Sequence, residues 1–254
     1  MCGIFCSLSR TSHVSPDADV LQLLQRRGPD STSCAQHTYG YDCEKTLPPQ
    51  QESGGDIFLN FTSTVLSLRG SRTVTQPLQS SDGSHVLCWN GEAWSIADQP
   101  AKGNDTEAVF ELLSAAASQS RGTNLSAQDA SNRIARHMAT VAGPYAFVFY
   151  DRHAGRVYLG RDFLGRRALL WRITESGDLL ISSVTSGSHD SAWSEIEADG
   201  IYCIDLNVPS GYPDTQDQAV GIVPSSFAIS KVPYHVATDG DGSTRFGTFS
   251  VGDQ

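Results

Sequence analysis

Met1–Arg10 reads MCGIFCSLSR, a cysteine directly behind the first methionine and a glycine directly behind the cysteine. Residues 2–9 have the apolar and aromatic content of a short strand. On a strand, a spacing of four sets Cys2 and Cys6 on one face. A cysteine in second place has three bland readings: a buried strand residue, a lipidation site, or half of a disulfide. It also has a chemical one. If Met1 is removed, Cys2 carries a thiol and a free α-amine together. The amine titrates near ~7.7–8.0 and the thiol near ~8.5, so at neutral pH a partly neutral amine can take the thiol proton. Gly3 leaves room for a substrate to approach past the next peptide.

Working outward, Asp17–Arg27 (DADVLQLLQRR) carries an apolar stripe of Val20, Leu21, Leu23 and Leu24 that Gly28-Pro29 ends, the pattern of an amphipathic helix. Tyr41–Gly55, with its Pro, Gln and Gly, reads as a variable loop. Strands are expected at Asp56–Phe61, Val65–Arg69 and His85–Trp89. Asn104-Asp105-Thr106 can cap a helix over Glu107–Ala117, and a second helix spans Ser126–Thr140. After Gly143-Pro144 the pattern returns to strands, at Tyr145–Tyr150, Arg156–Gly160, Ala168–Ile173, Leu179–Val184 and Ile201–Leu206. Strands, then helices, then strands predict two sheets whose outer faces are covered by helices. From Pro209 on, Gly, Pro, Ser, Thr and Asp dominate, and the chain reads as loop or linker.

Composition bounds the function. The 254 residues allow one large domain with a remnant, at about 100–200 residues per domain. A net charge of -10, with 15 Arg and 3 Lys, argues against a nucleic-acid partner, because phosphate binding wants clustered positive charge. Nothing approaches the ~18 apolar residues of a membrane helix, and Gly3–Leu8 is too short for a signal-peptide core, so no membrane partner and a cytoplasmic location are expected. Six scattered cysteines (2, 6, 34, 43, 88, 203) without a second CxxC-type pair predict reduced thiols and no metal site.

Cys88-Trp89-Asn90-Gly91-Glu92 closes a predicted strand. Asn-Gly is a strong hairpin signal. It also suits an oxyanion hole, in which the Asn90 amide and the Gly91 backbone N–H both face an oxygen that turns negative during acyl transfer.

These segments occur in a familiar order: Cys2-Gly3-Ile4, Arg27-Gly28-Pro29-Asp30, LSLRG (Leu66–Gly70) with Thr75-Gln76-Pro77, WNGE (Trp89–Glu92), NDT (Asn104–Thr106) and GRDFLGRRALLW (Gly160–Trp171). Across about residues 2–206 the chain resembles the class II glutamine amidotransferase domain, the N-terminal-nucleophile glutaminase of the asparagine synthetase family. The closest likeness is to asparagine synthetase domain-containing proteins. The resemblance implies an α+β fold, a four-layer αββα sandwich of two mainly antiparallel sheets covered by helices. It implies hydrolysis of the side-chain amide of L-glutamine to glutamate and ammonia in the setting of asparagine biosynthesis, without metal or other cofactor. Cys2 is then the nucleophile, with Asn90 and Gly91 as oxyanion donors. Arg69, on a strand edge, holds the substrate α-carboxylate as a fork-shaped cation can. Asp105 holds the α-ammonium, and Glu92 belongs to the same substrate-binding set. Arg69 also reads as a surface charge, Asp105 as a helix cap, Glu92 as a support for the turn, and Arg161-Asp162 as a structural ion pair.

The chain departs from that family in places. The run from Arg69 to Gln76-Pro77 is shorter, and a Ser-Glu pair after the last glutaminase strand is replaced by Ser182-Ser183-Val184. The ATP-binding signature S-G-G-x-D-S is absent: in Ser53-Gly54-Gly55-Asp56-Ile57 the Asp comes one place early, and the segment reads as a loop. Residues 207–254 are expected to be an irregular tail or a truncated linker to an absent synthetase domain. The implied partner is an ammonia-accepting synthetase domain or chain. Two other readings stand beside the glutaminase: a catalytically silent glutaminase-like domain acting as an interaction or regulatory module, and a redox or metal protein built on Cys2 and Cys6.

Overall fold

A computed structural model describes residues 1–40, 55–119, 126–187, 193–208 and 227–234, together with two short strands at 237–238 and 244–245. In chain order the elements are β1 (Gly3–Ser9), α1 (Ala18–Arg27), β2 (Ser31–Tyr39), β3 (Ile57–Val65), β4 (Leu78–Gln79), β5 (His85–Gly91), β6 (Ser95–Ile96), β7 (Gln99–Pro100), α2 (Asp105–Ser118), α3 (Ala127–Ala139) and β8 (Val141–Ala142). β9 (Tyr145–Asp151), β10 (Arg156–Arg161), β11 (Leu170–Ile173), β12 (Leu179–Ser182), β13 (Ser194–Glu195), β14 (Gly200–Asp205) and β15 (Ala228–Pro233) follow. One six-stranded antiparallel sheet runs β13-β11-β12-β1-β3-β2 and a second runs β15-β14-β10-β9-β5-β4.

β1 lies in the middle of the first sheet, between β12 and β3. Its period-2 alternation gives it two apolar faces. Ile4, Cys6 and Leu8 enter the core shared with Val86, Cys88 and Val148 of the second sheet. Phe5 faces the other way, onto Val20 and Leu24 of α1. α1 starts where the Asp17 carboxylate accepts the Val20 N–H at 2.7 Å, satisfying a donor the first turn leaves open. Leu87, Trp89, Phe147 and Phe149, on the outer face of the second sheet, are covered by Val109 and Leu113 of α2 and by Ile134 and Met138 of α3. The layers are therefore helix, sheet, sheet, helix, the α+β sandwich expected from the sequence. No described helix is long and apolar enough to cross a membrane.

Several boundaries differ from the sequence reading. β2 went unpredicted. Its residues STSCAQHTY are small or polar, and only Ala35 is buried. β3 runs unbroken to Val65, where two strands with a gap at Thr62–Thr64 were expected. Those hydroxyls are buried; Thr64 donates to Leu24 O at 2.6 Å and Thr62 accepts from Asn60 Nδ2 at 3.1 Å, so the two threonines of the polar run find partners inside the fold. Arg69 consequently sits beyond the strand, in the turn that follows β3. The tail is not wholly irregular. Ala228–Pro233 pairs with β14, because the island Phe227–Val232 supplies two side chains, Phe227 and Val232, that are buried in the core. Residues 41–54 of the predicted loop, including Ser53 and Gly54, and 209–226 of the tail lie outside the described residues.

Candidate active site

Cys2 precedes β1 by one residue, so the alternation that buries Ile4 and Cys6 turns Cys2 into the end of the sandwich, between the sheets. β5 of the second sheet ends beside it. A small cleft of about 40 Å³ opens there, and Cys2, Arg69, Asn90, Gly91, Glu92 and Asp105 all line it. The six residues come from four separate segments of chain. Met1, Gln76, Thr106 and Arg167 complete much of the wall.

The Cys2 thiol lies 3.8 Å from Leu66 O, and burial pushes its pKa above the ordinary 9.0. The Met1 ammonium donates to Arg27 O at 3.2 Å. Burial lowers the pKa of that amine below 8.0, and the charges of Arg27 and Arg167 act in the same direction. Met1 Sδ lies 3.0 Å from Arg167 Nη1 and 3.9 Å from Arg27 Nη2.

Asn90 is 1% exposed, and its Nδ2 is buried without a hydrogen-bond partner among the described residues. A buried amide donor left unpaired costs roughly 1–3 kcal/mol, so the orphan asks for an explanation. Gly91 is required by packing. A Cβ there would lie 2.7 Å from Trp89 Cζ2 and 2.7 Å from Tyr145 Cβ. Gly91→Ala is therefore expected to lower folding stability by about 1–3 kcal/mol through overpacking, read as a reduced urea midpoint. An unchanged midpoint would show that the turn can yield.

Arg69 and Asp105 meet at the backbone of one residue, Ala93. Arg69 Nη1 donates to Ala93 O at 2.5 Å, and Asp105 Oδ2 accepts the Ala93 N–H at 2.9 Å and the Trp89 indole N–H at 3.1 Å. Asn104, not Asp105, caps α2, its Oδ1 accepting the Thr106 N–H at 2.9 Å, which leaves the Asp105 carboxylate for the cleft. Glu92 accepts from Arg167 Nη2 at 3.3 Å. Arg161 and Asp162 are both buried, but not as the expected pair. Arg161 binds Glu195 at 2.7 Å and the carbonyls of Gly165, Arg167 and Ile196, while Asp162 takes Arg166 Nε at 2.9 Å and the N–H of Tyr145 at 3.0 Å. Adjacent strand and turn residues point in different directions, so each found its own partner.

Sequence reasoning gave no role to Gln76 or Arg167. β4 pairs with β5 only at Leu87 and Val86, so the edge N–H of Trp89 is left over. Gln76 Oε1 accepts it at 2.7 Å, and Gln76 Nε2 donates to Thr106 Oγ1 at 3.3 Å. Gln76-Pro77 and the double arginine were visible only as parts of motifs.

Residues 63–187 match the family model described as a glutamine amidotransferase domain. Two asparagine synthetase domain-containing proteins 1 are similar over most of the chain. The Bos taurus protein is 35% identical over 218 residues, 83% of this chain and 29% of its own length. The Mus musculus protein is 34% identical over 214 residues, 82% of this chain and 29% of its own length. This chain spans about three tenths of the length of those relatives. Among solved structures, the glutamine phosphoribosylpyrophosphate amidotransferase from B. subtilis complexed with ADP and GMP aligns at a TM-score of 0.45 and 17% identity, over 80% of this chain and 47% of that one. The sequence matches place the chain among the class II glutamine amidotransferases, and within them it is asparagine-synthetase-like.

Proposed function

We propose that the cleft hydrolyses the side-chain amide of L-glutamine to glutamate and ammonia through a thioester on Cys2, once removal of Met1 has freed the Cys2 amine. The observation that carries this reading is the unpartnered Asn90 Nδ2, buried in the same cleft as the partly buried thiol of Cys2. A donor held ready without a partner is what a developing oxyanion needs, since no reorganisation is then required at the moment of reaction.

In this scheme the α-carboxylate of glutamine lies at Arg69 and its α-ammonium at Asp105, with Glu92 beside them. The Cys2 amine accepts the thiol proton, Sγ bonds to the side-chain carbonyl carbon, and Asn90 Nδ2 with the Gly91 N–H holds the oxyanion. The proton passes to the leaving nitrogen, the C–N bond breaks, and ammonia departs. Water, deprotonated by the same amine, attacks the thioester, and glutamate and the thiol are restored. The scheme draws on no metal or organic cofactor. The proposed acceptor of the ammonia is a synthetase domain or chain of asparagine biosynthesis, in keeping with the relatives' name of asparagine synthetase domain-containing protein, and the proposed location is the cytoplasm. Residues 2–206 form the core of the proposed glutaminase unit.

The test is direct. Purified protein given glutamine, without ATP or aspartate, is expected to release glutamate and ammonia in equal amounts, whereas asparagine formation by this chain alone would contradict the assignment. A chain that keeps Met1 would instead fit the silent-module alternative, since the nitrogen of Cys2 is then an amide and cannot serve as base.

The shared hold on Ala93 separates the two binding residues from a simple pair of substrate hooks. Arg69→Ala is expected to act mainly by raising the KM for glutamine. Asp105→Ala also frees the peptide unit that follows the oxyanion turn, so it should raise KM and lower kcat by about tenfold. Steady-state kinetics of both variants check this, and a pure KM effect from Asp105→Ala would remove its second role.

A further inference from the structure

Tyr234 stands one residue past β15, in the stretch whose composition pointed to an irregular tail. β15 is bound to β14 by a six-residue antiparallel register, from Gly200 opposite Pro233 to Asp205 opposite Ala228. Val232 is 1% exposed and packs in the cluster beneath α2 and α3. Lys231 adds ion pairs to Glu197 at 2.5 Å and Asp199 at 2.6 Å. At the end of this strand the Tyr234 N–H donates to Asp199 O at 3.1 Å. Its hydroxyl donates to Arg161 O at 2.6 Å and lies 3.2 Å from the Tyr145 hydroxyl. Burial pushes the pKa of that hydroxyl far above its ordinary value, so it remains a donor throughout the neutral range.

Two lines of contact run from this hydroxyl to the cleft. The ring of Tyr145 stacks on Trp89, centroids 5.2 Å apart and planes 22° from parallel, and Trp89 Nε1 donates to Asp105 at 3.1 Å. On the other line, the guanidinium of Arg161 binds Arg167 O at 2.7 Å, and Arg167 Nη2 reaches Glu92 at 3.3 Å.

We propose that Tyr234 is a positioning residue of the cleft: its hydroxyl fixes Tyr145 and the end of β10, and through them Trp89 and Asp105 on one side and Arg167 and Glu92 on the other. The glutamine-binding unit then runs to Tyr234 instead of stopping at residue 206. The inference rests on the reading of this cleft as a glutaminase site. Tyr234 touches no reacting atom, so its influence falls on the grip on substrate.

The experiment uses the full chain carrying Tyr234→Phe, which keeps the ring and deletes the hydroxyl, with Ser230→Ala on an exposed position of the same strand as control. Loss of the hydroxyl is expected to raise the KM for glutamine about three- to tenfold while kcat stays within about twofold. It should also shift the Trp89 indole N–H resonance of the substrate-free protein. Ser230→Ala should match wild type in both. A folded Tyr234→Phe protein with wild-type KM and an unmoved Trp89 resonance would overturn the proposal, as would a loss of stability without any change in KM. If the wild type releases no glutamate, the glutaminase reading fails, and the Trp89 resonance alone then decides for or against Tyr234 as the residue that positions Trp89.

Discussion

Replacing Cys2 by alanine is expected to reduce glutamate release by about 10,000-fold or more, because loss of a covalent nucleophile removes the pathway and not merely a contact. The fold should survive. Cys2 precedes β1 and is only partly buried, so the substitution leaves the β1 register and its apolar rows intact. Cys6→Ala is the matched control. Cys6 is fully buried in the core between the sheets, and burial holds its thiol well above the ordinary pKa, so it is an inert packing residue. Its removal should cost some stability and leave turnover within about twofold. Comparable activity losses from the two variants, measured as glutamate released, would mean that thiol chemistry is not what the cleft does.

Asn90→Ala is expected to lower kcat by about 100- to 1,000-fold, the usual cost of losing one oxyanion donor. The same substitution should barely change stability, because the Nδ2 it deletes has no hydrogen-bond partner among the described residues. Those two outcomes together separate an oxyanion donor from a plain hairpin asparagine. A structural Asn90 gives the reverse pattern, a lowered urea midpoint with kcat preserved. Kinetics and urea unfolding on one preparation distinguish them.

Much of the fold was legible where local chemistry and global packing agree. The caps at Asp17 and Ser126 lie where the sequence put helix starts, and the run Tyr145–Tyr150, buried on both faces, reads as a central strand. Legibility failed where a segment takes its structure from its neighbours. β2 has almost no apolar residue and exists because β3 offers it nine paired positions. Thr62–Thr64 looked like a break because polarity was taken for exposure. β15 was hidden in a stretch whose average composition is that of a linker, although its alternation needs only Phe227 and Val232 to anchor it.

The six proposed site residues line one cleft, but periodicity alone had no means of joining them, since they lie on four segments between residues 2 and 105. The order of the motifs carried that part. Gln76 and Arg167 escaped because their tasks, satisfying an edge N–H and bracing Glu92, are defined by partners that the sequence does not name. The clamp on Ala93 escaped for the same reason: backbone N–H and C=O groups leave no mark in a side-chain pattern.

The central claim is that the base is the amine of Cys2 itself. A retained Met1 turns that amine into an amide nitrogen, which cannot accept the thiol proton, and keeps a side chain in the wall of the cleft. Glutamate release should therefore be measured on matched preparations whose N-termini have been established by mass spectrometry, one beginning at Cys2 and one at Met1. The account predicts turnover only in the chain that begins at Cys2, with the Met1 chain folded and nearly as inactive as Cys2→Ala. Full activity in a chain proven to begin at Met1 would contradict it.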